Sequence, residues 1–205
     1  MSLHHLASIT IGVPEPEPVR AFYRDLGLGE TQPGRLTTCD GGEQLRIETA
    51  KQRRLVALTV ASTTISAARP RASASSASPS RRTGARSLRS SPRLPAPLVF
   101  LHHSAWEMDD LDAVGRAGAA MVGADASRHV WGLGRHAIGS NYFWYLRDPA
   151  GNFAEYTSDL DVIADAEAWK VASSAPVHGL AAWGPPVPKT FLAPDDIMAL
   201  AAGRA

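Results

Sequence analysis

The chain has 205 residues, one cysteine and a formal net charge of +1. This length allows one sizeable domain or two small ones, and a single cysteine excludes an internal disulfide. The N-terminus has neither the basic nor the apolar region of a signal peptide, and no run approaches the roughly 18 apolar residues of a membrane helix. We therefore expect a cytoplasmic protein with no membrane partner.

Residues 1–61 have the pattern of a small α+β unit. Apolar periodicity and turn residues predict, in order, a strand over 6–13, a helix that begins near Pro18 and ends before Gly27, a hairpin of 36–39 and 44–48, and a strand that begins at Leu55. Val19, Phe22 and Tyr23 form the apolar face of the helix. The order is βαββ, followed by the first strand of a further unit.

Residues 62–97 differ in composition from the rest of the chain. These 36 residues contain ten serines, seven arginines, seven alanines and five prolines, but no acidic residue. Such a segment buries too little apolar surface to offset the entropy of ordering, so we predict a disordered linker. Without its seven arginines the chain has 14 basic against 20 acidic residues, a net charge of −6. The segment has no aromatic side chain for base stacking, so no specific nucleic-acid partner is expected.

Residues 98–161 are predicted to form a second unit. The pattern indicates, in order, a buried strand over 98–108, a helix capped by Asp109 or Asp110, an aromatic strand over 141–146, a turn over 148–152 and a strand that ends at Glu155. Leu111, Val114, Gly118 and Met121 lie on one face of the helix. The order strand, helix, strand, strand, strand over 98–158 is one βαβββ module.

Glu155 stands in the last predicted strand of this unit, between aromatic residues. Strand alternation places Phe153, Glu155 and Thr157 on one face and Tyr156 on the other. A carboxylate buried there without a partner costs about 3–5 kcal/mol. A bound metal ion is the simplest source of the missing positive charge.

Several residues of the second unit have the spacing of a known enzyme family. They are Gly134-Arg135-His136, Tyr145, Asp148 to Asn152, and Glu155. This motif resembles the last module of type I extradiol dioxygenases, which belong to the vicinal oxygen chelate superfamily together with glyoxalase I and the bleomycin-resistance proteins. The resemblance implies an α+β fold in which βαβββ modules form curved mixed sheets around a cavity.

The resemblance also implies a metal site. In the family, the residues that match His103 and Glu155 are iron ligands, and those that match His136 and Tyr145 are catalytic residues that contact substrate and oxygen. The implied cofactor is Fe(II), with Mn(II) or another divalent metal as the alternative. Strand alternation then places His103 at the site and turns His102 to the opposite face.

The third ligand of the family has no clear counterpart. A complete facial iron site has two histidines and one carboxylate. The position that matches the family's first histidine is Ser8, a poor ligand for iron. His4 or His5 in another strand register, His129 and His136 are the remaining alternatives.

The resemblance divides the chain into four parts. They are an N-terminal module with one extra strand at 1–61, the linker at 62–97, the metal-site module at 98–161, and a C-terminal wrap with a short helix at 162–205. The family has four modules, and the middle ones are missing or replaced here. We attribute the linker's composition to a reading-frame shift or an internal deletion, a hypothesis that sequencing of the locus tests.

The expected function is extradiol ring cleavage. The chain would be an iron-dependent dioxygenase that acts on a catecholic aromatic substrate with O2, impaired by the missing module. A small-molecule binding protein of the bleomycin-resistance kind and a metal-dependent isomerase or lyase of the glyoxalase kind are the alternatives. We also expect a homo-oligomer.

Overall fold

The computed structural model describes residues 2–63, 88–89, 101–162 and 180–201, with the backbone alone for 2–6, 60–63, 88–89 and 200–201. These residues form two mixed sheets, of five and six strands. The strands of the first sheet are β1 (Ser2–Val13), β2 (Gly29–Gln32), β3 (Arg35–Thr37), β4 (Glu43–Thr49) and β5 (Arg54–Thr63). Those of the second sheet are β6 (Leu88–Arg89), β7 (His103–Glu107), β8 (His129–His136), β9 (Tyr142–Arg147), β10 (Phe153–Ser158) and β11 (Ala181–Trp183). The helices are α1 (Pro16–Asp25), α2 (Leu111–Ala124), α3 (Lys189–Leu192) and α4 (Asp195–Ala201).

The first sheet has the order β2-β3-β4-β1-β5, with β1 parallel to β4 and antiparallel to β5. Helix α1 covers one face and buries Val19, Phe22 and Tyr23, as predicted. The predicted hairpin is present as β3 and β4. Strand β2 is not predicted, because its four residues are mostly exposed and lack an apolar pattern. Strand β5 extends this sheet instead of beginning a separate unit, because it pairs along most of β1.

The second sheet has the order β11-β8-β9-β10-β7-β6, with β7 parallel to β10. Helix α2 begins at a predicted cap, since the Asp110 carboxylate accepts a hydrogen bond from the Ala113 amide at 2.7 Å. The predicted turn joins β9 to β10, with Gly151 at a φ of +90°, a conformation that strains any residue with a Cβ. Strand β10 continues to Ser158, beyond the predicted end at Glu155.

The segments β1-α1-β2-β3-β4 and β7-α2-β8-β9-β10 are two copies of one βαβββ arrangement. The predicted α+β class and module type are therefore confirmed. The helix-covered faces of both sheets share one core, to which Ile9, Phe22, Trp106 and Tyr156 contribute. The Tyr156 hydroxyl donates to the Leu26 carbonyl at 2.8 Å and so joins the two modules.

The predicted linker and tail are described in part. Residues 62–63 end β5, and β6 pairs with β7. The rest of the linker lies outside the described residues, so its disorder stays a prediction. The predicted C-terminal helix is α4, which buries Ile197, whereas Trp169 lies outside the described residues. Within the described ranges, no helix has the length and apolar character needed to cross a membrane.

Candidate metal centre

Strand pairing brings His103 and Glu155 together although they are far apart in sequence. Strands β7 and β10 are parallel neighbours, with Phe153 opposite His103 and Ala105 opposite Glu155. Phe153 and Glu155 are two positions apart on β10, so the side chains of His103 and Glu155 project from the same face of the sheet. His103 Nε2 lies 3.4 Å from Glu155 Oε2, and the two side chains are 14% and 4% exposed. The predicted ligand pair is thus close together and buried.

The Glu155 carboxylate has mainly neutral neighbours. Asn141 Nδ2 donates to Glu155 Oε1 at 3.1 Å and to Thr157 Oγ1 at 2.7 Å. His136 Nε2 is 3.6 Å from the same Oε1. In the part of the chain that the structure describes, no lysine or arginine forms an ion pair with Glu155. A buried carboxylate in such surroundings favours a bound cation.

His136 and Tyr145 form a hydrogen-bonded pair beside Glu155. His136 Nδ1 lies 3.1 Å from the Leu180 carbonyl oxygen, and Nε2 lies 3.0 Å from the Tyr145 hydroxyl. A carbonyl oxygen only accepts, so His136 Nδ1 carries a hydrogen and donates it to Leu180. The Tyr145 hydroxyl also forms a hydrogen bond with Glu155. Tyr145 stands directly opposite Glu155 on β9. Both predicted catalytic residues therefore border the ligand pair.

Burial sets the protonation state of several groups in the site. Burial lowers the pKa of His103 to about 4, although the negative charge of Glu155 acts to raise it. Burial also lowers the pKa of His102. It raises the pKa of Tyr145 well above the usual range, and Glu155 adds to this shift. At neutral pH, His103 is therefore a neutral imidazole with a lone pair for a metal, and Tyr145 keeps its proton.

Aromatic side chains surround these polar groups. Trp131 stacks on Tyr145, with ring centroids 5.7 Å apart and an angle of 8° between the planes. The Phe191 ring, from α3, lies 4.6 Å from the Tyr145 ring. The buried members of this aromatic cluster are Trp131, Phe143, Tyr145, Phe153 and Phe191. These rings pack against one another and keep the polar groups of the site in apolar surroundings.

The predicted orientation of His102 is wrong. Its ring packs against those of Phe153 and Phe191, with centroids 5.5 Å and 4.7 Å away, on the side where the aromatic cluster lies. Its Nδ1 lies 2.8 Å from His103 Nδ1. Strand β7 begins at His103, so His102 precedes the strand and alternation does not govern its direction.

None of the alternatives is seen to supply a third ligand among the described side chains. His136 Nε2 lies 3.6 Å from Glu155 Oε1, but it does not complete a three-ligand group with His103 and Glu155. Ser8 lies in β1 of the other sheet. The side chains of His4 and His5 lie outside the described residues. His129 is exposed and accepts a hydrogen bond from the Trp144 indole at 3.1 Å. Trp144 packs against α2, on the face of the sheet opposite the site, so His129 lies away from the site.

The residues present fit part of a divalent-metal site. Two ligand atoms about 2.1 Å from a metal, at octahedral or tetrahedral angles, stand roughly 3.0–3.4 Å apart. His103 Nε2 and Glu155 Oε2 have this separation. Within the described ranges, no group of three or more His, Cys, Asp or Glu side chains is arranged to hold a metal. His103 and Glu155 thus match two ligands, and the third is not among the described side chains.

Two further residues at the site, Asn141 and Phe191, are not among the predicted site residues. Asn141 starts the aromatic strand in the prediction, but its buried amide orients the Glu155 carboxylate. A polar amide at the edge of an aromatic run is the signal that could have found it, because buried amides need partners. Phe191 comes from the C-terminal tail, and no local pattern indicates its contact with the site.

The fold and this group of side chains define the class of protein. Residues 2–156 match the model of the Glyoxalase/Bleomycin resistance protein/Dioxygenase superfamily, and the chain belongs to that superfamily. This confirms the family predicted from the spacing of His136, Tyr145 and Glu155.

Individual relatives include dioxygenases and a glyoxalase. Metapyrocatechase 2 of Cupriavidus necator is 43% identical over 91 residues, which cover 44% of this chain but only 28% of that protein's length. The structure of the Mn(II)-bound glyoxalase from Novosphingobium aromaticivorans matches with a TM-score of 0.57 at 17% identity, covering 78% of this chain and 83% of that one. The structure of a catechol 2,3-dioxygenase matches with a TM-score of 0.58 at 11% identity, covering 94% and 98%. At these identities the two solved structures show a shared fold.

Proposed function

We propose that the chain is an extradiol-type ring-cleaving dioxygenase, with iron(II) held by His103 and Glu155 and a catecholic substrate. The observation that carries this proposal is the 3.4 Å approach of His103 Nε2 to Glu155 Oε2 in a buried site. The His136–Tyr145 pair beside them and the similarity to metapyrocatechase 2 support the same chemistry.

His103 and Glu155 would supply one neutral and one anionic ligand. A metal bound there would act as a Lewis acid that lowers the pKa of a substrate hydroxyl and holds O2 beside the ring. Asn141 keeps the carboxylate in place through its 3.1 Å hydrogen bond. Because two ligands are assigned where a facial site has three, we expect weak metal binding and slow turnover.

The His136–Tyr145 pair would donate and accept protons during the reaction. Tyr145 keeps its hydroxyl proton at neutral pH, because burial raises its pKa, so it can donate to an oxygen that gains negative charge. His136 Nε2 lies 3.0 Å from that hydroxyl and would take a proton from a substrate hydroxyl bound beside it. The rings of Trp131 and Phe191 would border a planar substrate and keep water out.

A second candidate function is sequestration of a small molecule, as in the bleomycin-resistance proteins. Two observations favour it: the aromatic cluster around the site, and the lack of a three-ligand metal group among the described side chains. An aromatic ligand would then bind against Trp131 and Phe191, and neither metal nor O2 would take part.

Metal analysis and O2 uptake separate these functions. The full chain is loaded with Fe(II) without oxygen, its metal content is measured, and catechol and O2 are then added. A dioxygenase binds the metal, consumes O2 and forms a yellow ring-cleavage product. Catechol binding without metal or O2 uptake would instead establish sequestration, and metal binding without O2 uptake would favour an isomerase or lyase. Glu48→Gln, at an exposed position of β4, is the matched control for Glu155→Gln, which should lose the reaction.

A further inference from the structure

The ring of Phe191 fills a space between other aromatic rings of the candidate site. Its centroid lies 4.6 Å from that of Tyr145, 4.7 Å from that of His102 and 5.0 Å from that of Trp131. On a further side it stacks on Phe153, with centroids 5.6 Å apart and an angle of 13° between the planes. A planar ring therefore already stands among the side chains that would contact an aromatic substrate.

We propose that this space is the place of the substrate's ring, and that Phe191 occupies it only in the ligand-free protein. A catecholic ring would take the position beside Tyr145 and Trp131 as Phe191 and helix α3 move outward. Phe191 would then border the ligand from the outer side. The inference rests on the proposed function for the identity of the ligand, a catecholic ring.

Helix α3 is attached to the site by one side chain. Phe191 is 5% exposed and is the one buried residue of this four-residue helix. Its neighbours Lys189, Thr190, Leu192 and Ala193 are all exposed, Leu192 by 54%. Outward movement of α3 therefore removes a single side chain from its contacts. A bound ring of similar size would replace those contacts with its own.

The chain is held firmly on both sides of α3. Before the helix, the Pro185 carbonyl accepts a hydrogen bond from the Trp131 indole at 2.8 Å. After the helix, Arg53 Nη2 donates to Asp196 Oδ1 at 2.8 Å. Residues 186–195 can thus move outward while both ends of the segment stay attached.

Outward movement also has a cost within the protein. It breaks the contact between the Phe191 carbonyl oxygen and His102 Nε2, which are 2.6 Å apart. When the form that binds a ligand is a minor species, the apparent Kd is raised in proportion to its scarcity. Because such forms are commonly populated at about 10% or less, removal of the Phe191 ring should tighten ligand binding about 10-fold or more. Removal of a side chain that merely lines the site would weaken binding, since contacts with the ligand are lost.

Calorimetric titration of catechol into the full chain measures this difference, with Mn(II) in excess and O2 excluded. Phe191→Ala should bind catechol about 10-fold or more tightly than the wild type. Phe191→Leu, which keeps part of the packing, should show a smaller gain in the same direction. Leu192→Ala, at the exposed neighbouring position, is the matched control and should bind as the wild type does. Binding by both Phe191 variants that is no tighter than that of the wild type would overturn the inference.

Trypsin cleavage of the wild type reports the movement of α3 itself. The bond after Lys189 lies in this helix, and a protease cuts readily where the backbone is accessible and released from its contacts. Catechol should therefore accelerate cleavage there, which mass spectrometry detects as the fragment 190–205. Cleavage after Lys51, an exposed residue between β4 and β5, should keep its rate. Protection of Lys189 by catechol, or an unchanged rate, would overturn the inference.

The two measurements also separate this inference from the proposed function. Tighter binding by Phe191→Ala and faster cleavage after Lys189, without O2 uptake by the iron-loaded protein, would end the dioxygenase proposal and support the inference for a sequestering site. O2 uptake with catechol protecting Lys189 would support the dioxygenase and overturn the inference.

Discussion

At the scale of single residues, the site places a charge where charge is costly. Glu155 is 3% exposed, and its described partners are an amide, two imidazoles and the Tyr145 hydroxyl. An ionised carboxylate in such a place lowers the stability of the metal-free protein by several kcal/mol, of order 3–5. Glu155 is therefore a residue at which function and stability oppose each other.

Glu155→Gln separates the two effects. The amide has nearly the same shape but no charge, so Mn(II) affinity should fall at least about 10–100-fold. The metal-free variant should be as stable as the wild type or more so, because the amide needs no counter-charge. Calorimetric titration and thermal denaturation measure the two quantities. Full-strength Mn(II) binding by this variant would remove Glu155 from the site.

A second carboxylate, Glu30, makes stability depend on acid pH. It accepts from Arg20 Nε and Arg24 Nη1, both at 2.6 Å, and from the Gly34 amide at 2.7 Å. The Arg20 hydrogen bond is the largest cause that lowers the Glu30 pKa, to about 2. The Glu30 carboxyl therefore binds a proton less tightly in the folded protein than in the unfolded chain. The stabilisation is fully present above about pH 4.5 and is lost as the pH falls toward 2.

Glu30→Gln should flatten this part of the stability profile. Its urea midpoint should be lower than that of the wild type at pH 6, and the difference should shrink steadily between pH 4.5 and 2. Urea denaturation at a series of pH values measures this. A constant difference over the whole range would show that Glu30 acts through packing alone.

At the scale of elements, helix α2 packs so closely against the second sheet that position 118 has no room for a Cβ atom. A Cβ on Gly118 would lie 2.3 Å from the Trp144 ring. Gly123 lies in the same helix, and a Cβ there would meet nothing within 4 Å. Helix propensity favours alanine at both positions by about 1 kcal/mol, so packing alone distinguishes them.

Alanine at these two positions should have opposite effects. Gly118→Ala should destabilise the protein by about 1–3 kcal/mol, because Trp144 or the helix must move. Gly123→Ala should stabilise it by about 0.5–1 kcal/mol. Urea denaturation of both variants is the measurement. Stabilisation of similar size in both would mean that α2 does not approach Trp144 as described.

At the scale of the whole molecule, the C-terminal segment joins the two modules over the candidate site. Strand β11 pairs with β8, and the Trp131 indole donates to the Pro185 carbonyl at 2.8 Å. Arg53, between β4 and β5 of the first sheet, is 8% exposed and bonds to Asp196 of α4. Residues from both modules and the tail thus meet near His102 and Phe191.

Asp196→Asn tests the importance of this connection. It leaves the buried Arg53 guanidinium without its anionic partner, so a loss of about 1–3 kcal/mol is expected. The neighbouring Asp195→Asn should change stability by less than about 0.5 kcal/mol, because Asp195 is exposed like Asp196 but is not seen to form an ion pair among the described residues. Urea denaturation followed by tryptophan fluorescence reports the change. Equal stability of the two variants would show that the connection contributes little.

The sequence by itself determined the local elements and the family. Turn residues at 148–152 predict two adjacent antiparallel strands, and α1 buries the apolar face that its periodicity indicates. These features depend on short-range backbone geometry, which a single stretch of residues specifies. The family predicted from the spacing of His136, Tyr145 and Glu155 agrees with the superfamily match over residues 2–156.

Only the tertiary structure decided which side chains surround the ligand pair. His102 lies just before β7, so its direction follows from contacts with Phe153 and Phe191 and not from strand alternation. Asn141 and Phe191 reach the site because separate segments of the chain pack together there. Sequence periodicity within one segment does not indicate such contacts. Contacts between distant segments depend on how complete elements bury their surfaces against one another, and this is a property of the folded chain as a whole.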